Sequence, residues 1–223
     1  MNFKSYLLEK NYSSIEKAKS ILFYGENFGL KKFFKSFIEN NNKKNKVLSF
    51  LQEDVLGNNN LLFSELENLS LFEEKKIIFI FNTNDKILKI IESYLEGNLN
   101  HQLFIFSEIL DKKSKLRNYY EKSKIYGIVP CYADSLITIK KIIQDELKNY
   151  HGVSSFNLNI IIEACGTDRT KVYNEIDKIK SFFRDMKITT DNLSKLVNSP
   201  RVEDFNDLKD FVIKGNKHET NKL

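Results

Sequence analysis

The sequence predicts an α/β domain built on a five-stranded, doubly wound parallel sheet, followed by a small all-helical domain and the start of a further helical element. Three observations carry this. Five apolar runs of strand length recur up to Tyr132 with helical patterns between them, the signature of βαβ units. The runs are apolar without alternation, as in strands covered on both faces. After Tyr132 the alternation stops and helical periodicity alone continues.

The first strand is SILFYG (Ser20 to Gly25), and the helix after it, FGLKKFFKSFIENN, places Leu30, Phe33, Phe34 and Phe37 at helical spacing. KVLSFL (Lys46 to Leu51) and KIIFIFN (Lys76 to Asn82) follow, and NDKILKIIESYLEG repeats the helical pattern with Ile87, Ile90, Ile91 and Leu95. QLFIFS (Gln102 to Ser107) and YGIVPCY (Tyr126 to Tyr132) complete the sheet, while ENNNKKNK and LGNNN read as loops. In the second domain SLITIKKIIQDELKNY, NLNIIIEAC and RTKVYNEIDKIKSFF are helical, the middle one ended by Gly166. ITTDNLSKLVNS adds a short helix with Thr190 as its N-cap, and Pro200 marks the end of the domain. The expected divisions are residues 1–134, 135–200 and 201–223, the last being the beginning of a helix that runs into a polar tail.

Composition narrows the class. With 41% hydrophobic and 29% charged residues in 223, the chain reads as globular. Its longest apolar stretches, such as IIFIF (Ile77 to Phe81), fall far short of the roughly 20 residues needed to span a bilayer. The opening MNFKSYLLEKNYSS has no apolar core of a secretory signal, so a cytoplasmic protein without membrane association is expected. Cys131 and Cys165 make neither a disulfide framework nor a four-ligand zinc site and read as buried thiols. A net charge of +5 permits contact with nucleic acid without demanding it.

An α/β domain followed by a small helical one suggests a P-loop nucleotide enzyme, so the turn after the first strand matters most. It reads GENFGLKK (Gly25 to Lys32). A working loop, G-x-x-x-x-G-K-[ST], needs its second glycine so that the backbone can wrap the phosphates, its lysine to reach them, and its hydroxyl to bind Mg²⁺. Aligned on Gly25, this chain has Leu30 for the glycine, keeps Lys31, and puts Lys32 where the hydroxyl belongs. The third strand should end in an acidic pair, yet IFIFNTND offers Asn82 and only a later Asp85. An amide supplies neither the anionic ligand nor the base. Two losses in separate elements predict a degenerate loop (Gly25, Lys31, Lys32) with no nucleotide turnover, Gly25 serving as a turn glycine and Lys31 as a surface lysine. His101, His151 and His218 are isolated, the pattern of solvated or locally bonded imidazoles. No catalytic residue, metal site or cofactor is expected.

The chain resembles the delta subunit of the bacterial DNA polymerase III clamp loader. ILFYGENFGLKK is similar to that family's first strand and degenerate phosphate loop, and LSLFEEKKIIFIFN to its Leu-Phe pair, charged residues and strand. LDKKSKL (Leu110 to Leu116) resembles its Lys-rich stretch after the fourth strand, and GTDRTKVYNEIDKI (Gly166 to Ile179) its Gly-Asn-Asp helix start, with Thr167 in place of the usual asparagine. The resemblance implies an AAA+ type (RecA-like) α/β domain, a helical lid domain and a C-terminal helical collar, of which only the beginning, from about Val202, is present.

It also implies a function. NLSLF (Asn68 to Phe72) resembles the clamp-binding pentapeptide Gln-Leu-Ser-Leu-Phe, with Asn68 its departure, so Leu69, Ser70, Leu71 and Phe72 are the expected contacts to the sliding clamp (beta). From the residues alone, core is the favoured reading of Leu71 and Phe72. The resemblance makes them a wedge that opens the clamp for loading onto primed DNA, while partner subunits (gamma/tau, with delta-prime as a ring member) hydrolyse ATP within the replisome on the nucleoid. Two other classes compete. A delta-prime type of subunit would carry a cysteine zinc cluster and a Ser-Arg-Cys motif, neither of which is in this sequence, and an active P-loop ATPase would need the residues missing above. Lys112, Lys113, Lys115 and Arg117 form a basic cluster that reads either as a contact to DNA phosphates or as a solvated helix face.

Overall fold

β-branched and aromatic runs become strands because both faces of such a run can be buried once helices cover a parallel sheet. The structure is a computed structural model that describes residues 1–58, 61–67, 75–97, 101–197, 209 and 212–215. The chain divides into two units, Met1–Ala133 and Asp134–Leu223.

In order, the first unit runs α1 (Ser5–Leu8), α2 (Ser13–Glu16), β1 (Ser20–Tyr24), α3 (Phe28–Asn41), β2 (Lys46–Leu51), α4 (Gln52–Gly57), α5 (Leu61–Glu67), β3 (Lys76–Thr83), a 3₁₀ turn (Asp85–Ile87), α6 (Leu88–Glu96), β4 (Gln102–Ser107), α7 (Lys115–Lys122) and β5 (Gly127–Pro130). The strands pair in parallel in the order β2-β3-β4-β1-β5. Alternate residues of the central strands feed two cores. Ile21, Phe23, Phe79, Phe104 and Phe106 meet Phe34 and Ile38 of α3 on one face, and Leu22, Ile78, Ile80 and Ile105 meet Ile91 and Leu116 on the other. The Phe23 and Phe106 rings stack at 5.0 Å between centroids.

β2 departs from the expectation of strands covered on both faces. It is an edge strand with β3 as its neighbour, and it leaves Val47 and Leu51 exposed. The stretch read as the loop LGNNN is also shorter than expected, since α4 runs to Gly57 and α5 starts at Leu61, with residues 59 and 60 outside the described set. No helix among the described residues is long and apolar enough to cross a membrane.

The second unit packs α8 (Leu136–Glu146), α9 (Ser155–Cys165), α10 (Arg169–Phe182) and α11 (Thr190–Leu196) around Ile139, Ile143, Ile161, Val172, Ile176 and Leu193. Side chains cap three of the four helix starts. Ser135 accepts from the Thr138 amide at 3.1 Å, Ser154 from Asn157 at 3.1 Å, and Asp168 from Thr170 at 2.9 Å. Gly166, at φ +58°, ends α9 as expected. Thr190 is not an N-cap: Thr189 holds that position without a side-chain bond, and the Thr190 hydroxyl instead donates to Asn157 Oδ1 at 2.9 Å. The buried amide of Asn157 needs that donor, and a solvent-facing cap does not. Residues 198–208, with Pro200 and most of the expected collar, lie outside the described residues. Cys131 and Cys165 are buried free thiols, and burial pushes the Cys165 thiol up to about 11.

One ion pair anchors the second unit. Arg169, the first residue of α10, donates from Nε to Asp134 Oδ2 at 2.8 Å and from Nη2 to Asp134 Oδ1 at 2.7 Å, the two side chains being 1% and 6% exposed. Replacing Arg169 with Ala strands a buried carboxylate and is expected to cost about 3–5 kcal/mol; a urea unfolding curve reads this directly, and the apolar pair Arg169→Met with Asp134→Leu should recover most of the loss.

A second prediction concerns pH. His101 Nδ1 accepts the Lys76 amide at 3.0 Å, joining the starts of β3 and β4, and burial, followed by the nearby Lys76 charge, holds its pKa below the usual histidine value. With a folded-state pKa below the unfolded value of about 6.5, the bond contributes stability above that pH and loses it as pH falls through the folded-state pKa. The thermal midpoint of the parent should therefore drop between pH 7 and pH 5 by more than that of His101→Asn, which keeps an acceptor but cannot titrate.

Candidate functional site

The turn between β1 and α3 is where a nucleotide enzyme of this architecture would hold phosphate. It leaves the sheet at Gly25, whose φ of +133° is open to glycine and costly for other residues. A Cβ there would sit 2.2 Å from the Cys131 carbonyl oxygen. Gly25 is thus more than an ordinary turn glycine: it lets the loop press against the chain leaving β5.

That close approach spends the loop's donors. The Gly25 amide donates to Glu108 O at 3.1 Å, Asn27 N to Cys131 O at 3.0 Å, and Phe28 N to Glu26 O at 2.9 Å. Asn27 is the N-cap of α3, its Oδ1 accepting from Leu30 N at 2.9 Å while its Nδ2 donates to Tyr132 O at 3.0 Å. Glu26 accepts from the Ala133 amide at 2.9 Å. The amides of Gly25, Asn27, Phe28 and Leu30 are thus committed to the protein.

Lys31 completes the closure. It is not a surface lysine: half-buried, it donates from Nζ to Gly25 O at 2.8 Å and to Ser107 O at 2.9 Å, bridging the loop and the end of β4. Burial lowers its pKa, opposed by Cys131, Glu108 and Glu26. Lys32 is exposed.

The end of β3 is diverted in the same way. Asn82 adopts φ +56°, where the ladder to β4 shifts register between Ile80 and Thr83. Asparagine tolerates this left-handed conformation better than most residues. Thr83 Oγ1 donates to Phe106 O at 3.1 Å. Asp85 accepts from Ser114 Oγ at 2.6 Å and from the Lys115 and Leu116 amides at 3.0 Å each, so the acidic residue nearest the strand end caps α7. Burial opposes ionisation of Asp85, but these three hydrogen bonds prevail and hold its carboxyl below the usual carboxylate value.

The basic cluster divides. Lys112, Lys113 and Lys115 are exposed around the start of α7. Arg117 turns inward, pairing with Glu121 at 2.8 Å, donating to Leu110 O at 3.0 Å and lying 4.9 Å from the centroid of the Tyr24 ring. It buttresses the sheet and is not part of the exposed group. Leu69, Ser70, Leu71 and Phe72 lie outside the described residues, in the segment between α5 and β3. Sequence reading missed the Lys31 bridge and the Asp85 cap, although Asn27 before the apolar positions of α3, and Ser114 before Leu116, are local cap signals that it could have used.

No family model matches the chain. A protein described as "Probable DNA polymerase III subunit delta" from Rickettsia prowazekii (strain Madrid E) is 22% identical over 187 residues, covering 82% of this chain and 57% of that protein. The chain thus spans little more than half the length of this curated relative. Among solved structures, the Bacillus subtilis DNA clamp loader delta protein (YqeN) superposes with a TM-score of 0.62 at 16% identity, over 98% of this chain and 69% of that one. Rhizobiales Trip13 reaches 0.50 at 13% identity, over 87% and 81%. The chain is similar in sequence to a DNA polymerase III delta subunit, and it shares the fold of a clamp-loader delta protein.

Lys31→Met removes the donor from the Gly25 and Ser107 carbonyls and is expected to destabilise the first unit by about 1–3 kcal/mol. A urea titration followed by circular dichroism measures it; an unchanged midpoint would show that the bridge contributes nothing.

Proposed function

We propose that this chain serves as a clamp-loader delta subunit, binding a sliding clamp through Leu69, Ser70, Leu71 and Phe72 and opening it for loading onto primed DNA without hydrolysing ATP itself. The observation that carries this is the closed phosphate loop, in a chain that follows a delta subunit over 82% of its own sequence. On this reading the first unit is the AAA+ domain, the second begins with the lid, and residues 201–223 begin the collar that would join gamma/tau and delta-prime subunits.

The energetics favour a wedge with a supporting rim. Two apolar side chains entering a pocket contribute roughly 1.5–3 kcal/mol each, whereas micromolar binding needs about 8 kcal/mol. Neighbouring surface must add the remainder, and Glu73, Glu74 and Lys75 adjoin the pair in sequence, whereas Lys76 is buried at the start of β3 and adds none. Opening follows when the wedge binds the open clamp better than the closed one, which needs no nucleotide on the wedge subunit. Lys112, Lys113 and Lys115 supply charge for DNA phosphates inside the assembled loader; Arg117 has a structural role.

The test is a pull-down against the cognate clamp. The parent should bind, and the Leu71→Ala, Phe72→Ala double variant, folded by circular dichroism, should lose at least tenfold in affinity. Titration with Mg-ATP should show no saturable binding; tight Mg-dependent binding would instead support the ATPase reading.

A further inference from the structure

The two units meet at the peptide bond between Ala133 and Asp134. Groups on both sides of that bond are tied down, and on the first side the ties come from the residues that follow Gly25 in the closed loop. The Asn27 amide donates to Cys131 O at 3.0 Å, Asn27 Nδ2 donates to Tyr132 O at 3.0 Å, and the Ala133 amide donates to Glu26 Oε1 at 2.9 Å. Successive residues after β5 are thus held in turn by one loop. On the second side the Arg169 guanidinium donates twice to Asp134, and Ser135 caps α8.

The freedom left to the chain follows from these ties. Each residue has two soft backbone torsions, and between the amide held by Glu26 and the carboxylate held by Arg169 only those of Ala133 and Asp134 remain. A flexible tether needs many more, because the reach of a chain grows only with the square root of its free residues. A hinge, by contrast, is a few residues at the ends of elements that absorb the whole change in φ and ψ. Glu26 sets where this hinge begins, since it holds the last residue before the division; without its carboxylate the freedom would extend back to Tyr132, which Asn27 still holds. We propose that Glu26 and Asn27 form a clamp on the linker that confines the hinge between the two units to Ala133 and Asp134, so that the segment standing where a nucleotide enzyme has its phosphate loop governs the freedom of the second unit. The proposal rests on neither clamp nor nucleotide, and its failure would leave the function proposed above untouched.

The experiment measures residual dipolar couplings and ¹⁵N relaxation on the full ²H,¹⁵N-labelled chain, on Glu26→Ala and Glu26→Gln, and on Lys32→Ala as a control at a nearby exposed position. In the parent both units should report alignment tensors of equal magnitude, with order parameters at Ala133 and Asp134 of about 0.85, as in rigid backbone. Glu26→Ala removes the acceptor, so these order parameters should fall below about 0.6 and the tensor of the second unit should shrink about 1.5-fold relative to the first. Glu26→Gln keeps a carbonyl acceptor and should stay close to the parent, as should Lys32→Ala. Glu26 is exposed, so the thermal midpoint of Glu26→Ala should stay near that of the parent. Unequal tensors in the parent, equal tensors in Glu26→Ala, or mobility in Glu26→Gln or Lys32→Ala matching that in Glu26→Ala would overturn the proposal. A lowered midpoint in Glu26→Ala with tensors still equal would also overturn it, leaving Glu26 a purely structural role.

Discussion

One ammonium group held between two main-chain carbonyls organises the carboxyl edge of the sheet. In a working phosphate loop the lysine at this position extends toward the bound phosphates, and the loop stays open around them. Here Lys31 folds back onto Gly25 O and Ser107 O. Desolvation disfavours its charge, and two charge-assisted hydrogen bonds, worth about 1.5–3 kcal/mol each, offset that cost. The geometry requires Gly25, because the loop can lie against Cys131 only if no Cβ intervenes. The residue that in other chains gives the loop room for phosphate here brings the backbone close enough to seal it.

The neighbouring strand ends follow from the same closure. Asn82 takes a left-handed turn at the end of β3, and Asp85 caps α7. That cap sets the start of the helix whose first turn carries Arg117, and Arg117 lies over Tyr24 at the end of β1. The edge is therefore tied together by groups of β1, α3, β4 and α7.

How much of this was legible in the sequence depends on how local the interaction is. The five strands were readable because uninterrupted apolar runs alternate with helical periodicity, and Gly166 because a positive φ after a helix favours glycine. The edge position of β2 was not, since strand order is decided by non-local packing. The loss of the Mg²⁺ hydroxyl was visible in Lys32, yet the fate of Lys31 was not, because Ser107 is 76 residues away. The Asp134–Arg169 pair, 35 residues apart, was hidden for the same reason. Arg117 looked like one of four neighbouring cations; its inward turn depends on the Tyr24 ring, which no sequence window around Arg117 contains. Leu69–Phe72 were readable as a clamp contact through resemblance alone, because an apolar pair beside a strand reads first as core.

On the proposed function, a stiff platform that needed no nucleotide would have a thermodynamic use. Shifting a clamp from 1:99 to 99:1 in favour of the open ring takes about 5.5 kcal/mol of differential affinity. Two apolar anchors, at roughly 1.5–3 kcal/mol each, would reach that figure only at the top of their range and only if they bound the closed ring not at all. The discrimination must therefore come partly from shape, from a surface around the anchors that fits the open ring and resists fitting the closed one. A platform that yields would relax to both forms and discriminate between neither. A closed loop supplies stiffness without requiring ATP in this subunit, so the timing of exposure and release can be left to partners that do hydrolyse it.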